Sequence, residues 1–343
     1  MATRTDWICT LDDAQCSEIA EALSRVEDSN RPGLQFRRDD FPLPRTAPLL
    51  VAVRRELEDG AGVVRLRGLD AERYSEDQLR RVFWGIGCHI GIPLYQNPSG
   101  EIMGEVRDET RLAVQSYTKE APGGVASSRA RSRSNGPLRF HTDLCDVIAL
   151  LCVRNASAGG VSKIASSVTI YDEILKRRPD LARLLFQDYW RARPPDSEAD
   201  NVSRLYALPV FAVHDGKFTS QYSRTFVELA QQDPSVPRVT AAQDEALDLL
   251  AEVAEEVCLH APFETGDIQL LNNHVTYHGR TAYDDDATTR RDRLLFRLWL
   301  ATPDSRRLPP GFEVLWSATE PGAVRGGVAQ PGSGLRTPLS EAA

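Results

Sequence analysis

Long apolar runs are missing from this chain of 343 residues. No stretch reaches the ~18 consecutive apolar residues that a membrane span needs. The start, MATRTDWICTLDDAQ, has no apolar core of a secretory signal, so a cytoplasmic location is expected. Positive charge is also short. The net charge is −8, with a pI of about 5.4, which argues against nucleic acid as a partner. The one basic cluster, SSRARSRSNG at 127–136, has no interleaved aromatic and reads as a loop. The six cysteines (Cys9, Cys16, Cys88, Cys145, Cys152 and Cys258) form no CxxC pair. That disfavours a disulfide framework or zinc ribbon and leaves free thiols. No GxGxxG and no GxxxxGK(S/T) occurs, so the usual phosphate-cradling loops are absent. No internal repeat is evident.

What remains is ordinary globular composition, 41% hydrophobic and 26% charged. Residues 11–28 and 47–59 have helical periodicity, which makes 1–60 a helical N-terminal part. Ser75 and Gln78 have capping-box spacing at the head of a third helix. GVVRLRGL at 62–69 reads as a strand, as does 102–106 and the apolar run 147–153, the last buried on both faces. SAGG at 157–160 is a turn, and TIYDEILKRRPDLARLLF is a helix interrupted by proline. YALPVFAVHDGKFTSQYS is expected to be one hairpin turning at Asp215-Gly216, and 240–257 an amphipathic helix. Residues 110–137 are rich in Gly, Ser and Arg. They read either as a lid over the strand that follows or as surface disorder. From 303 to 343 a Pro/Gly-rich tail is expected to wrap the surface. Helices followed by many short strands suggest a single domain, mainly β with flanking helices, built as a double-sheet jelly roll.

LRFHTDLCDV ends an apolar run with a histidine and an aspartate one residue apart. On a strand, alternate side chains share a face, so His141 and Asp143 are placed together. A third ligand is available in LLNNHVTYHGR, from His274 or His278. His278 is preferred because it stands where the chain leaves the strand; His274, inside the strand, is assigned a supporting hydrogen bond. Two neutral imidazoles and one carboxylate on one face of a metal leave positions open, the facial triad of non-haem Fe(II) oxygenases. A structural zinc site would be closed instead. His89, His214 and His260 read as turn or helix-end residues with no metal role. Cys145 shares the His141 face if the strand stays regular, yet its default is a small buried hydrophobe.

RDRLLFRLWL puts Arg293 and Arg297 four apart on an apolar strand, hence on one side. Buried guanidiniums are rare unless paired. A dicarboxylate such as 2-oxoglutarate matches that fork; the alternative is a salt bridge to Asp284, Asp285 or Asp286.

The order FHTD, GGxS, NNHxxxHGRTAxxD and RxxxFRLWL resembles the taurine dioxygenase/TfdA-type family of Fe(II)- and 2-oxoglutarate-dependent oxygenases, also called clavaminate synthase-like. The resemblance runs from about residue 62 to 325 and includes PLYQN, GEVRD, SAGGVSKIASSV and PGAVRGG. It implies a cupin-like double-stranded β-helix, with Fe(II) on His141, Asp143 and His278. It puts 2-oxoglutarate on Arg293, and Arg297 beside cosubstrate or substrate. Where the family often has a threonine after GG to bond the cosubstrate, this chain has Ser162, which keeps the hydroxyl. The implied reaction uses O2 to oxidise a C–H bond and releases succinate and CO2. The intact Asp143 argues against halogenation, which needs that coordination position. Gln96, Asn97 and Arg224 are candidate substrate contacts. The substrate expected is a small polar molecule, amino-acid-like or carboxylate-bearing, with no nucleic acid or membrane partner and self-association as a homo-oligomer left open. Two other readings are a cupin-type metalloenzyme working without 2-oxoglutarate, which the arginine pair disfavours, and a non-catalytic binding protein on the same barrel.

Overall fold

The computed structural model describes residues 5–29, 31–110, 128–193, 203–285 and 292–339. Its strands, in chain order, are β1 Ile8–Thr10, β2 Val63–Arg67, β3 Ile92–Pro93, β4 Gly104–Val106, β5 Leu138–His141 and β6 Val147–Arg154. There follow β7 Ala158–Gly159, β8 Ser162–Ser166, β9 Asp188–Ala192, β10 Leu205–Pro209, β11 Phe211–His214 and β12 Lys217–Ser220. The last are β13 Leu259–Ala261, β14 Ile268–Asn272, β15 Thr276–Arg280, β16 Tyr283–Asp284 and β17 Leu294–Ala301.

Two sheets dominate. The larger runs β1-β2-β14-β6-β17-β3, with β4 also on β17; the smaller runs β13-β8-β15-β5. Only β1 and β2 pair in parallel within the larger sheet. Side-chain alternation sorts the residues into layers. From β17, Leu294, Phe296, Leu298 and Leu300 join the core shared with helices Asp13–Asp28, Ala47–Asp59 and Glu76–Ile90. The alternate residue Trp299 faces the other way, into a core with Ile164 of β8 and Ala261 of β13. On the far side of the smaller sheet, Phe140, Ala165 and Tyr277 pack under helices Ser167–Arg177, Pro179–Leu184 and Ala241–Val257. The molecule is thus mainly β, with helices outside both sheets and, between them, an apolar core and a cavity that polar side chains enter.

The expected capping box at Ser75 is present, and the structure adds two more. Ser75 and Gln78 form a reciprocal capping box, as do Asp12 with Gln15 and Thr240 with Gln243. Asp215 and Gly216, with φ of 49° and 74°, turn the β11–β12 hairpin. The expected single hairpin is otherwise wrong at its first strand, because β10 pairs with β9 instead. The N-terminal part is not only helical: β1 hydrogen-bonds along β2 and extends the main sheet. Most of the 110–137 segment lies outside the described residues; 128–137 contributes helix Ser128–Ser132 and the approach to β5. The tail does not merely wrap the surface. Arg325 is fully buried, its Nε donating to Asp146 at 2.9 Å, and Trp316 is buried beside it. A buried charge of this kind is retained only with its partner. No helix among the described residues is long and apolar enough to cross a membrane.

Candidate active site

His141 and His278 face each other across the β5–β15 pair, with ring centroids 4.2 Å apart. The register slips between His278 and Arg280, so that β5 carries one extra residue opposite Gly279. This bulge lets Leu138 and His141, three residues apart, both face the space between the sheets, while Phe140 points outward to the helices. It also explains the glycine: a Cβ on Gly279 would lie 2.8 Å from the Leu138 carbonyl oxygen. The strand ends at His141, so the expected strand-face pairing with Asp143 is corrected; Asp143 sits in the loop beyond. That loop is fixed by two bonds. Thr142 N–H donates to Tyr222 O at 2.9 Å, and Asp143 N–H donates to Asn273 Oδ1 at 3.1 Å. His278 lies in the middle of β15 rather than at its exit.

The Asp143 carboxylate stands 3.7 Å from His141 Nε2 and 3.9 Å from His278 Nε2. Ligand atoms of the three residues all lie within 4.8 Å of one another, and all three side chains are buried. His141 Nδ1–H donates to the Arg139 carbonyl at 3.0 Å, which leaves the Nε2 lone pair facing Asp143. Burial, then the neighbouring His141, pushes His278 down to about 3. Burial likewise lowers His141. Burial alone would raise Asp143, but Arg297, the two histidines and the Trp299 N–H outweigh it and hold the carboxyl below its ordinary range. Two neutral imidazoles and an ionised carboxylate therefore converge, the donor set that a divalent first-row metal takes. The residues present fit iron(II).

An adjoining cavity, with an empty volume of about 460 Å³ up to its open mouth, is lined by His141, Ser162, His278, Arg280, Arg293 and Arg297 over Ile148, Leu150 and Leu295. Arg293 and Arg297 thus enter one space, as their spacing implies. The expected alternative of an internal ion pair is not what holds Arg293. Asp285 Oδ1 accepts the Arg293 backbone N–H at 2.9 Å, while side-chain Nε and Nη1 meet no partner. Asp284 makes no ion pair with it among the described residues, and Asp286 lies outside them. Arg297 Nε donates to Gln96 Oε1 at 2.8 Å, and its Nη1 is 3.7 Å from Asp143 Oδ2. Gln96 in turn donates to the Arg297 carbonyl at 2.9 Å, so it acts on the cavity through Arg297. Ser162 Oγ accepts from Gln269 Nε2 at 3.1 Å, in a buried chain that continues to Arg65.

The other candidates are placed elsewhere. Asn97 is committed to its own turn: its Oδ1 accepts from Ser99 and from the Glu101 N–H. Arg224 pairs with Asp244 and Asp248 on the outer helix. Neither lines the cavity. His274 occupies the turn between β14 and β15, not a strand, and bonds Asp146 Oδ1 at 2.8 Å and Thr219 Oγ1 at 3.1 Å. Because β5 ends early, Cys145 leaves the His141 face and packs with Leu94 and Ile148, where it accepts from Asn273. His89 is near a helix end and His214 abuts the hairpin turn, but His260 lies in β13. Sequence reasoning missed Trp299, whose Nε1–H donates to Asp143 Oδ2 at 3.0 Å, and Arg280 in the cavity wall. Period-two alternation from Arg297 and from His278 places both on the inner face.

Comparison with known proteins agrees with this geometry. Residues 28–299 match the family model described as "Taurine catabolism dioxygenase TauD, TfdA family". A protein named FR-33289 synthase from Streptomyces rubellomurinus is 30% identical over 89% of this chain and 88% of its own length. The taurine hydroxylase-like protein SAT17 of Stachybotrys chartarum is 31% identical over 90% of this chain and 78% of its own. Among solved structures, an asparagine oxygenase in complex with Fe(II), 3-hydroxyasparagine and succinate superposes with a TM-score of 0.66 at 19% identity, covering 86% of this chain and 94% of that one. The non-haem iron oxygenase OrfP with Fe and alpha-ketoglutaric acid does so with a TM-score of 0.60 at 16% identity, covering 86% and 93%. These two share the fold. The family match over most of the chain, joined to the His-Asp-His centre, makes the chain a member of the TauD/TfdA family, an iron- and 2-oxoglutarate-dependent dioxygenase.

Proposed function

We propose that this enzyme hydroxylates an unactivated C–H bond of a small amino-acid-like or carboxylate-bearing molecule, with iron(II) on His141, Asp143 and His278 and 2-oxoglutarate on Arg293. The observation that carries the reading is the convergence, in one buried space, of three ligand groups and an arginine with two unmet N–H groups. When bound, iron(II) supplies the redox centre at which O2 and 2-oxoglutarate are consumed and succinate and CO2 are released.

The chain's own residues do the rest. The Arg139 carbonyl fixes the His141 tautomer. Trp299 holds one oxygen of Asp143 and so orients the other toward the metal position. Arg293 supplies a fork matched to a carboxylate, and Ser162, braced by Gln269, offers a hydroxyl beside it. Arg297, braced by Gln96, is our assignment for an anionic group of the substrate. The bound hydroxy-amino acids of the asparagine oxygenase and of OrfP support an amino-acid-like substrate here. We also read the two facing sheets as the double-stranded β-helix of this family, and 1–343 as one domain.

The test is anaerobic titration of the metal-free protein with Fe(II) and then 2-oxoglutarate, following the visible metal-to-ligand charge-transfer band. The band is expected in wild type, lost with His141→Ala, and shifted to far higher 2-oxoglutarate with Arg293→Ala. Iron binding with no band at any 2-oxoglutarate concentration refutes the reading.

A further inference from the structure

The cavity holds a second guanidinium with two unpaired nitrogens. Arg280 is two residues beyond His278 on β15, hence on the same face, and stands opposite Ser162 in the β8–β15 register. It is 5% exposed. Its Nη2 donates to the carbonyls of Ser134 at 2.6 Å and Gly136 at 2.7 Å. That anchors the group from behind. Nε and Nη1 have no partner, the same two atoms that are unmet on Arg293.

The two arginines are neighbours. Both guanidinium carbons lie near the ring of Tyr283, at 4.6 Å for Arg280 and 5.1 Å for Arg293. A guanidinium keeps its charge at neutral pH, so both are cations. The carboxylates nearest in charge terms are Asp108 and Asp285, and neither forms an ion pair with these side chains among the described residues. The Tyr283 phenol is pushed up to about 12 and stays neutral. Two like charges buried side by side, each with open N–H donors, are costly without an anion between them. A carboxylate, with two oxygens and about four acceptor sites, can serve both guanidiniums at once.

We propose that Arg280 is a second anchor for the distal carboxylate of the cosubstrate, and that it sets the preference for a 2-oxo dicarboxylic acid over a 2-oxo monocarboxylic acid. This rests on the iron and 2-oxoglutarate reading above. Ser162, opposite Arg280, and Arg293 would complete the cradle.

The test compares two probes, 2-oxoglutarate and 2-oxopentanoate, which has the same chain length but no distal carboxylate. Binding is read by calorimetry on metal-free protein and by the charge-transfer band on anaerobic Fe(II) protein. Arg280→Gln is expected to weaken 2-oxoglutarate by about 10–100-fold, the loss of a charge-assisted pair, and to leave 2-oxopentanoate unchanged. Arg280→Lys, which keeps the cation, serves if the glutamine variant does not fold; a loss of about tenfold or more, confined to 2-oxoglutarate, again supports the proposal. An equal loss for both acids, or none for either, overturns it and leaves Arg280 as a brace for the 134–136 segment. A wild-type protein that forms no band with either acid overturns the cosubstrate reading and this proposal together. A normal wild-type band with unchanged variants overturns this proposal alone.

Discussion

Trp299→Phe isolates one contact at the metal centre. The indole N–H donates to Asp143 Oδ2 at 3.0 Å, and the ring lies 5.3 Å from the Arg297 guanidinium. Phenylalanine keeps an aromatic face near Arg297 and removes the donor. A hydrogen bond to an ionised acceptor contributes about 1.5–3 kcal/mol. Arg297 Nη1, at 3.7 Å from the same oxygen, is too far to replace it. At about 1.4 kcal/mol per tenfold, iron(II) affinity is expected to fall about 10–100-fold, the range found for outer partners of metal ligands. The smaller ring also leaves a void that lowers stability whether or not metal is present. Iron affinity is therefore measured by anaerobic competition with a chromophoric chelator, and stability separately by urea unfolding of metal-free protein. A folded variant whose iron affinity stays within about threefold of wild type, well short of the expected range, or rises, refutes the claim that Trp299 orients the carboxylate.

Gly160→Ala forces a side chain onto a residue with φ of 67° and brings Cβ to 3.0 Å from Arg293 Nε. It is expected to cost about 1–2 kcal/mol of stability and to raise the 2-oxoglutarate needed for the charge-transfer band while chelator-measured iron affinity holds; an unchanged titration would contradict the packing. Arg325→Met removes a fully buried cation from Asp146 and is expected to cost about 3–5 kcal/mol in urea unfolding; a loss under about 1 kcal/mol would mean that the tail is not tied to the core through this pair. For metal-free protein the depressed His278 fixes the sign of the pH dependence. The unfolded chain takes up the proton from about pH 6.5 downward, whereas the folded site resists until about 3. Stability is thus fully present above about 6.5 and is lost as pH falls toward about 3, by up to about 1.4 kcal/mol per pH unit for this one group. His141 adds a contribution of the same sign. A flat urea midpoint from pH 7 to 5 would refute a neutral, buried imidazole pair.

The parts of the fold that were legible in sequence are those written in short-range pattern. Helix Ala47–Asp59 and the caps at Ser75 and Thr240 follow from periodicity and capping chemistry within a few residues. The inward set Arg293, Arg297 follows from strict alternation. What was not legible depends on partners far away in the chain. The extra residue of β5 is visible only against β15, and it brings Leu138 and His141 to the same inner face. Nothing local in YALPVF says that its partner is β9 rather than β11. His274 resembles a ligand in spacing, but the chain turns at 273–275 and passes from one sheet to the other, so His274 and His278 share no strand. Asn97 and Arg224 failed as cavity residues for the same reason. Their charge and polarity were readable, but their partners Glu101, Asp244 and Asp248 were not.

Charge gives the last constraint on the site. Three arginines enter the cavity, and Asp143 is the carboxylate that meets one of them, Arg297. Iron(II) adds positive charge, and a dianionic cosubstrate offsets only as much as the metal brings. An excess of two guanidinium charges over carboxylate therefore persists on side chains that are themselves buried, where such excess is poorly screened. If Arg280 and Arg293 share the distal carboxylate, one of the two excess charges is spread over that pair and the other is left at Arg297. Its Nε is fixed by Gln96 and its Nη1 lies 3.7 Å from Asp143 Oδ2, which holds this guanidinium in the cavity wall beside the metal position. A substrate without a carboxylate would leave that charge uncompensated, whereas a carboxylate on the proposed substrate, that of an amino acid included, would satisfy it and fix the distance between the anchor and the C–H bond to be oxidised. That is the electrostatic reason why the substrate we propose carries a carboxylate.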